Sequence, residues 1–465
     1  MVEFLLNHKQ VKHDLSEGVI LLDLLRTRQK LTGTKQACRE GDCGACMVLS
    51  GQLSKGVMHY QPVNSCLLPL GLCHARHIVS IEGVNGDELN RVQQALVEQG
   101  AIQCGFCSSG LVMAIMGFLL NAPEASYTLA LDAISGNLCR CTGYAGIKRA
   151  LKQICKRVDL KPSSPVVRVA DLVSWGILPR YFADVPQRLA ELPQQVNSVE
   201  KVVVKVAGGT DLFVQQAEQL AATPWSLIKQ AEGICVEQQQ CRIAVATHIE
   251  TLRNSVQLQA LYPQIVDDFK LIGSTSIRQQ ATIGGNFVNA SPIGDLSVLF
   301  LALDAELTIA TATNQRTIPL RNFFKAYKKV DLQADELLIQ LTFQFYSTPM
   351  RISFEKVSKR SHLDIASVNS AMCIELQGQV FKRIHIVAGG VAAIPLYLQK
   401  TCHFLQGKII EPELLKHALE LVQTEIAPFS DIRGSADYKR LLLKQLLIAH
   451  WLKLLPEYVS WKDFQ

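Results

Sequence analysis

The chain has 465 residues, enough for about three domains, and 48% are hydrophobic against 19% charged, a balance that builds packed cores and excludes a disordered polyelectrolyte. The formal charge of +6 comes from scattered lysines and arginines, without the basic stripe and interleaved aromatics of a nucleic-acid binder. Fourteen cysteines behind a start, MVEFLLNHKQ, that lacks a leader pattern give the expectation of a reducing, cytoplasmic setting with thiols on metal; the most apolar run, Leu111–Leu120, is too short to span a membrane.

The first eighty or so residues read as a small mixed unit. Val2–Leu6 forms a strand, residues 7–10 turn, and Val11–His13 returns. Val19–Lys30, preceded by Ser16 and followed by Gly33, has the apolar spacing of an amphipathic helix. Cys38, Cys43 and Cys46 follow at x4 and x2 spacing, then a short strand Met47–Leu49, and Tyr60–Leu68 brings in Cys66. That spacing with one distant cysteine matches the plant-type [2Fe–2S] pattern, with zinc, the usual occupant of a lone C-x2-C, as the alternative. Gly41, Gly44 and Ala45 let the loop close on a cluster with its amides toward sulfur.

From about Gly83 the pattern turns helical, over Asp87–Glu98, Ser108–Leu120, Thr128–Ser135 and Thr142–Val158. Cys104 and Cys107 precede the second run, and Cys139 and Cys141 precede the fourth. A helix start carries unpaired N–H groups and partial positive charge, so lowered thiolate pKa values are expected there. Four thiolates in one site again admit zinc, although the tight C-x-C is unusual for a zinc finger.

The carrying motifs are CREGDCGAC (38–46), Cys66, QCGFC (103–107) and LCRCTGY (138–144), and with them this half resembles the iron–sulfur part of the xanthine dehydrogenase family of molybdenum hydroxylases. The resemblance implies a β-grasp ferredoxin-like domain (1–82) and a four-helix [2Fe–2S] domain (83–157), with one cluster in each. It also implies that the helical cluster lies nearer a molybdopterin on a partner chain, with Gln103 toward that cofactor. Ser108-Ser109-Gly110 stands where the family commonly has Thr-Pro-Gly, a departure that touches no ligand.

Lys161-Pro-Ser-Ser-Pro165 reads as an extended linker, placed over 158–170. After Phe182–Leu192, the strand Val202–Val206 enters Ala207-Gly208-Gly209-Thr210-Asp211, and such a turn can offer successive N–H groups to a phosphate. No G-x-G-x-x-G follows the strand, which sets the Rossmann fingerprint aside. A second Gly-Gly pair lies at Ile283-Gly284-Gly285-Asn286, and two such turns suit one ligand with two phosphates.

This half is similar to the flavin domain of the same family, with a two-lobed vanillyl-alcohol-oxidase-type fold. The resemblance implies FAD on residues 171–346, lined by Val204, Lys205, Val206, Ala207, Gly208, Gly209, Thr210 and Asp211, and by Thr282, Ile283, Gly284, Gly285 and Asn286. Asp295 in SPIGD, Leu338 in DELL and Lys356 in FEKVSKR complete the implied set. Ile272 stands where animal members place an aromatic ring, and an isoleucine packs on the isoalloxazine without stacking.

Residues 347–465 match the family's small α+β C-terminal flavoprotein domain, with strands in RISFEKV, SAMCIEL and RIHIVAGGVAA and helical runs Glu411–Glu425 and Ser435–Leu455. Cys73, Cys155, Cys235, Cys241, Cys373 and Cys402 lack ligand spacing and read as structural thiols.

The expected fold class is therefore α+β multidomain, with no catalytic residue assigned. Nothing after residue 160 resembles a molybdopterin domain, so the resemblance implies the electron-transfer small subunit of a xanthine dehydrogenase. Hypoxanthine and xanthine would be hydroxylated on a large molybdopterin-binding subunit, in a heterotetramer of two small and two large chains. Electrons would pass from the Cys104/Cys107/Cys139/Cys141 cluster to the Cys38/Cys43/Cys46/Cys66 cluster, then to FAD and on to NAD or oxygen. The same role in an aldehyde, nicotinate or aromatic acyl thioester hydroxylase is the second reading, and a non-catalytic zinc-binding assembly protein the third. Iron–sulfur and flavin parts in one chain favour xanthine, because many relatives separate them.

Overall fold

Val2–Leu6 turns at Asn7 (φ 55°) to pair antiparallel with Lys9–His13, and its other edge pairs parallel with His77–Val79. Met47–Ser54 and Val57–Asn64 complete a five-stranded sheet, the arrangement of a β-grasp. The computed structural model describes residues 1–86, 88–193, 204–228, 230, 232–345 and 350–465. It divides into one unit of Met1–Ile228 with Ser274–Gln280 and another of Lys229–Gly273 with Ala281–Gln465.

In the first unit the helix expected over Val19–Lys30 is cut short. Ile20 is extended and bridges Pro69, so helix begins only at Leu21 and soon widens into a π-turn over Leu24–Arg28. Four helices follow: Arg91–Glu98, Ser108–Asn121, Tyr127–Ala133 and Ala145–Arg157. The first starts at Arg91 because Asn90 and Gln93 form a capping box; Asp87, its expected start, lies outside the described residues. Ser108–Asn121 is buried from Gly110 through Leu120, which is why its sequence is apolar all round.

The expected linker is corrected. Ser164 caps, and Pro165 opens, a helix over Pro165–Ser174. Its Arg168, 4% exposed, donates to the carbonyls of Leu119 (3.0 Å), Ala122 (2.8 Å) and Lys161 (2.6 Å), so this stretch is packed against the end of Ser108–Asn121. Of the strand expected over Val202–Val206, Val204–Val206 is present, paired parallel with Trp225–Leu227; Val202 and Val203 lie outside the described residues.

The second unit holds a five-stranded sheet whose central hairpin-like ladder pairs Glu306–Ala310 with Leu337–Gln344. A four-stranded antiparallel sheet follows, built on Arg351–Val357, Val368–Gln377 and Val380–Gly389. Pro412–Glu425 and Ala436–Leu454 are the two long C-terminal helices, the second capped by Ser435. The boundary expected at 346/347 lies outside the described residues. Among the described residues no helix is long and apolar enough to cross a membrane.

Candidate cluster sites and nucleotide turn

Cys66 sits on a 3-10 turn, Ser65–Leu67, just after the strand Val57–Asn64, and Ser65 Oγ donates to Cys46 O at 2.7 Å, pinning two ligand-bearing segments together. Cys46 and Cys66 are each 3% exposed, whereas Cys38 and Cys43 are half-buried. Cys38 and Cys43 Sγ stand 3.4 Å apart. The Cys43 side chain holds the Cys38 thiol down at about 5, against burial, with help from the amides of Glu40, Cys43 and Asp42; the same contact pushes Cys43 up. Cys46 is likewise held down by its bond with Cys66, and Cys66 is raised in return.

The second set repeats this pairing nearer the surface. Cys104 and Cys141, both exposed, have sulfurs 3.6 Å apart, and that contact raises Cys141. Cys107 caps Ser108–Asn121, yet its thiol is pushed up to about 12, first by burial and then by its bond with Cys139. The expected lowering at a helix start is thus overturned here, because desolvation outweighs the helix end. Cys139 is the thiol held low: burial raises it, but bonds from Thr142 (hydroxyl at 3.1 Å, and amide), Cys107 and the Cys141 amide outweigh burial. The helix expected from Thr142 begins at Ala145, since Tyr144 is left-handed (φ 61°) with its hydroxyl on the Cys139 N–H at 3.0 Å.

The two loops are joined. Leu138 N–H donates to Cys43 O at 3.0 Å, and Asn137 Nδ2 donates to Gly44 O at 3.2 Å. One hydrogen bond therefore separates the backbone beside Cys139 from that of Cys43.

These donors fit iron–sulfur centres. Paired sulfurs at 3.4 and 3.6 Å are far beyond a disulfide bond of ~2.05 Å and close to the ~3.8 Å that two thiolates span on one tetrahedral metal with ~2.3 Å bonds. A metal taken up between such paired sulfurs would displace thiol protons. Loop amides aimed at sulfur suit an anionic cluster. Among the described residues no three His, Cys, Asp or Glu side chains gather for a single ion; the thiols meet two by two.

The two glycine pairs differ. In the first, Gly209 has φ 72°, and among the described residues the N–H groups of Gly208, Gly209 and Thr210 meet no protein acceptor. Three successive free amides are what a phosphate needs. Val204, Lys205, Val206 and Ala207 lead into this turn, and Asp211 Oδ2 accepts from Gln215 at 2.6 Å. Val206 and Phe213, on either side of the turn, share one apolar cluster with Cys46 and Cys66.

The second pair is a helix start, Ile283–Asn289, and not an open turn. Its amides are already taken: Ile283 by Thr247 O, Gly284 by Val245 O, Gly285 by Thr282 Oγ1 and Asn286 by Thr282 O. Gly284 lies in a close approach, where an added Cβ would stand 3.0 Å from Val245 Cβ. Asn286 Oδ1 accepts from Ser297 at 3.3 Å.

Lys356 and Asp295 bind each other. Lys356 Nζ, on a side chain 2% exposed, donates to Asp295 Oδ2 at 2.7 Å and Leu271 O at 2.7 Å, while Asn369 holds Asp295 Oδ1 at 2.6 Å. The pair fastens the Leu271–Ile272 backbone to the strand Arg351–Val357. Ile272 and Leu338, each 5% exposed, belong to the second unit's apolar core. Of the six other cysteines, Cys73, Cys241, Cys373 and Cys402 are buried, and Cys155 and Cys235 half-buried. Asn64, Thr142, Tyr144 and Gln280 were not singled out from the sequence; Thr142 and Tyr144 stood within LCRCTGY, but the others carry no motif.

Four family profiles match in succession: a 2Fe-2S iron-sulfur cluster binding domain over 4–70, a [2Fe-2S] binding domain over 80–152, the FAD binding domain in molybdopterin dehydrogenase over 182–343, and the CO dehydrogenase flavoprotein C-terminal domain over 353–454. The chain is 27% identical to xanthine dehydrogenase 1 of Arabidopsis thaliana, over 93% of this chain and 38% of that protein. It is 24% identical to aldehyde oxidase 1 of Bos taurus, over 97% of this chain and 39% of that protein. The chain thus spans about two fifths of the length of these relatives. Among solved structures, reconstituted CO dehydrogenase from Oligotropha carboxidovorans is 26% identical with a TM-score of 0.51, covering 54% of this chain and 89% of that one. Because the aldehyde oxidase match runs through both the iron–sulfur and the flavin stretches, having them in one chain does not single out xanthine.

Proposed function

We propose that this chain, whose successive stretches match two 2Fe-2S domains and the FAD binding domain in molybdopterin dehydrogenase and which is 27% identical to a plant xanthine dehydrogenase, is the electron-handling part of a xanthine dehydrogenase. The observation that carries this reading is the meeting of eight thiols two by two, on loops that share the Leu138–Cys43 hydrogen bond. Bound at these sites, the clusters would supply one-electron carriers and FAD the change between one-electron and two-electron chemistry.

The exposure of the thiols supports an order. Cys104 and Cys141 lie exposed, with Ile102 (40%) and Phe106 (42%) beside them, which supports an entry side facing a molybdopterin-bearing partner, with Gln103 toward it. The buried Cys46 and Cys66 share their apolar cluster with the turn Val206–Phe213, which supports the Cys38/Cys43/Cys46/Cys66 set as the donor to flavin. Gly208, Gly209 and Thr210 offer amides to the flavin nucleotide's phosphates, and apolar packing around Cys46 and Cys66 keeps water from the sulfurs. Thr282–Asn286, its amides used, serves as a close-packed support, and Lys356 with Asp295 holds the Ile272 backbone in place.

In this reading purine hydroxylation belongs to a large molybdopterin subunit, two copies of each chain assemble, and NAD, or else oxygen, takes the electrons. The aldehyde oxidase similarity favours one second reading, the same relay serving an aldehyde hydroxylase. Purified chain should contain about four iron, four sulfide and one FAD, two four-cysteine [2Fe–2S] sites plus one flavin. Cys139→Ser should erase one of two EPR signals and stop flavin reduction by substrate once the partner is present. Zinc without sulfide, or unchanged turnover in that variant, would overturn the relay.

A further inference from the structure

Ser274–Gln280 lies in sequence among the flavin-domain residues but packs in the first unit, against the first cluster's loop. Asn64 Nδ2 donates to Ser276 Oγ at 3.0 Å and to Gly41 O at 3.2 Å, and Ile277 Cδ1 sits where it would be 2.7 Å from a Cβ on Gly41. Thr275 Oγ1 donates to Asp132 O at 3.3 Å. The segment ends on Gln280, 6% exposed, whose Nε2 donates to Leu67 O at 2.8 Å and to Gly208 O at 3.1 Å. Leu67 follows the cluster ligand Cys66, and Gly208 belongs to the turn with three free amides. Both acceptors are carbonyls, which can only accept, so the orientation of the amide is fixed by its surroundings.

We propose that Gln280 is a positioning residue that ties the nucleotide turn to the first cluster's loop, so that filling the turn with FAD is felt at the Cys38/Cys43/Cys46/Cys66 centre. The proposal deepens, and rests on, the reading of this chain as a flavin and iron–sulfur protein. A phosphate taken up by the Gly208–Thr210 amides reorients those peptide planes, and the Gly208 carbonyl is one of the two that Gln280 holds. In a close-packed interior a small shift is passed on and not absorbed. It reaches the Leu67 carbonyl, one residue from Cys66, where hydrogen bonds and dipoles near sulfur set the cluster's potential and its EPR anisotropy. A glutamine that merely fills space would leave only the apolar packing of Val206 and Phe213 between turn and cluster, with no hydrogen-bonded link.

The test uses the full chain carrying both clusters. FAD is added to flavin-stripped wild type, Gln280→Leu and the neighbouring control Gln279→Leu, with FAD affinity read by fluorescence and the two reduced clusters by EPR. Cys66→Ser and Cys139→Ser assign the two signals. In wild type, FAD should shift the signal and midpoint potential of the Cys66-containing cluster and leave the other unmoved. Gln280→Leu should weaken FAD about tenfold, the net value of about one hydrogen bond in a buried setting, and abolish the FAD-dependent shift; Gln279→Leu should do neither. Wild type that binds FAD with both clusters unmoved overturns the proposal, and so does a Gln280→Leu chain that keeps the wild-type shift. If Gln280→Leu does not fold, the wild-type comparison alone decides. A wild-type chain that takes up clusters but no FAD overturns the functional reading along with it.

Discussion

At position 209 the backbone has φ 72°, and an added Cβ would stand 2.9 Å from Phe213 Cδ2 and 3.2 Å from Val206 Cγ1. A β-branched residue meets both the left-handed penalty, about 1–2 kcal/mol, and that collision. Gly209→Val should therefore release FAD while both clusters keep their iron and sulfide, as counted on the purified variant. The turn is disturbed before any phosphate arrives. Asp268 is a different single-residue case. Burial raises its carboxyl to about 6, opposed by the Tyr262 hydroxyl and by Lys453, whose Nζ is 3.9 Å away. A folded-state pKa above the unfolded value means that the protonated acid favours the fold. That contribution is complete below the unfolded pKa of about 4 and is lost as pH rises through about 6, up to roughly 3 kcal/mol for a shift of about two units. Asp268→Asn should flatten this part of the pH dependence and raise the urea midpoint most at about pH 8. Equal gains at about pH 4 and about pH 8 would show that Asp268 does not titrate in that window.

At the scale of elements, one side chain decides what the segment after residue 158 becomes. Ser and Pro there fit both an extended linker and a helix start, and nothing local separates them. Arg168 does so by reaching the carbonyl end of Ser108–Asn121, at Leu119 and Ala122. Arg168→Met keeps the length of the side chain but leaves those buried carbonyls without a donor, a cost of about 2–4 kcal/mol. Hydrogen exchange should then quicken at the end of Ser108–Asn121 and in Pro165–Ser174, with cluster content unchanged; protection equal to wild type would show that the guanidinium is dispensable. The same contrast explains what the sequence disclosed. Cysteine spacing, the apolar run of Ser108–Asn121 and the helical run read over Ser435–Leu455, found as Ala436–Leu454, are local signals, and they were legible. The Lys356–Asp295 pair, the used amides of Ile283–Asn286 and the two-ended bond of Gln280 join residues far apart in the chain, and no spacing encodes them. Cys107 is raised and not lowered for a related reason: a helix start is visible in sequence, whereas burial and the bond with Cys139 are not.

For the molecule as a whole, the decisive question is which reactions this chain performs without a partner. In the proposed reading substrate chemistry would belong to a molybdopterin subunit and acceptor chemistry to this chain, since the flavin is the proposed exit for electrons. A relay is reversible, so a reductant entering at the exit should fill every centre on this chain. Anaerobic NADH should therefore bleach the flavin absorbance of the isolated, cofactor-loaded chain and then raise the EPR signals of both clusters. Hypoxanthine should do neither until the partner is supplied, because nothing in this chain is assigned to activate it. Cys139→Ser should keep NADH reduction of the flavin and of the Cys38/Cys43/Cys46/Cys66 cluster, since the break lies beyond both on the way back. If dithionite reduces the chain and NADH does not, NAD is excluded as acceptor while the relay stands, and oxygen uptake by the reduced chain becomes the next measurement. If NADH reduces the clusters in a chain stripped of FAD, electrons have another entrance and the flavin is not the exit.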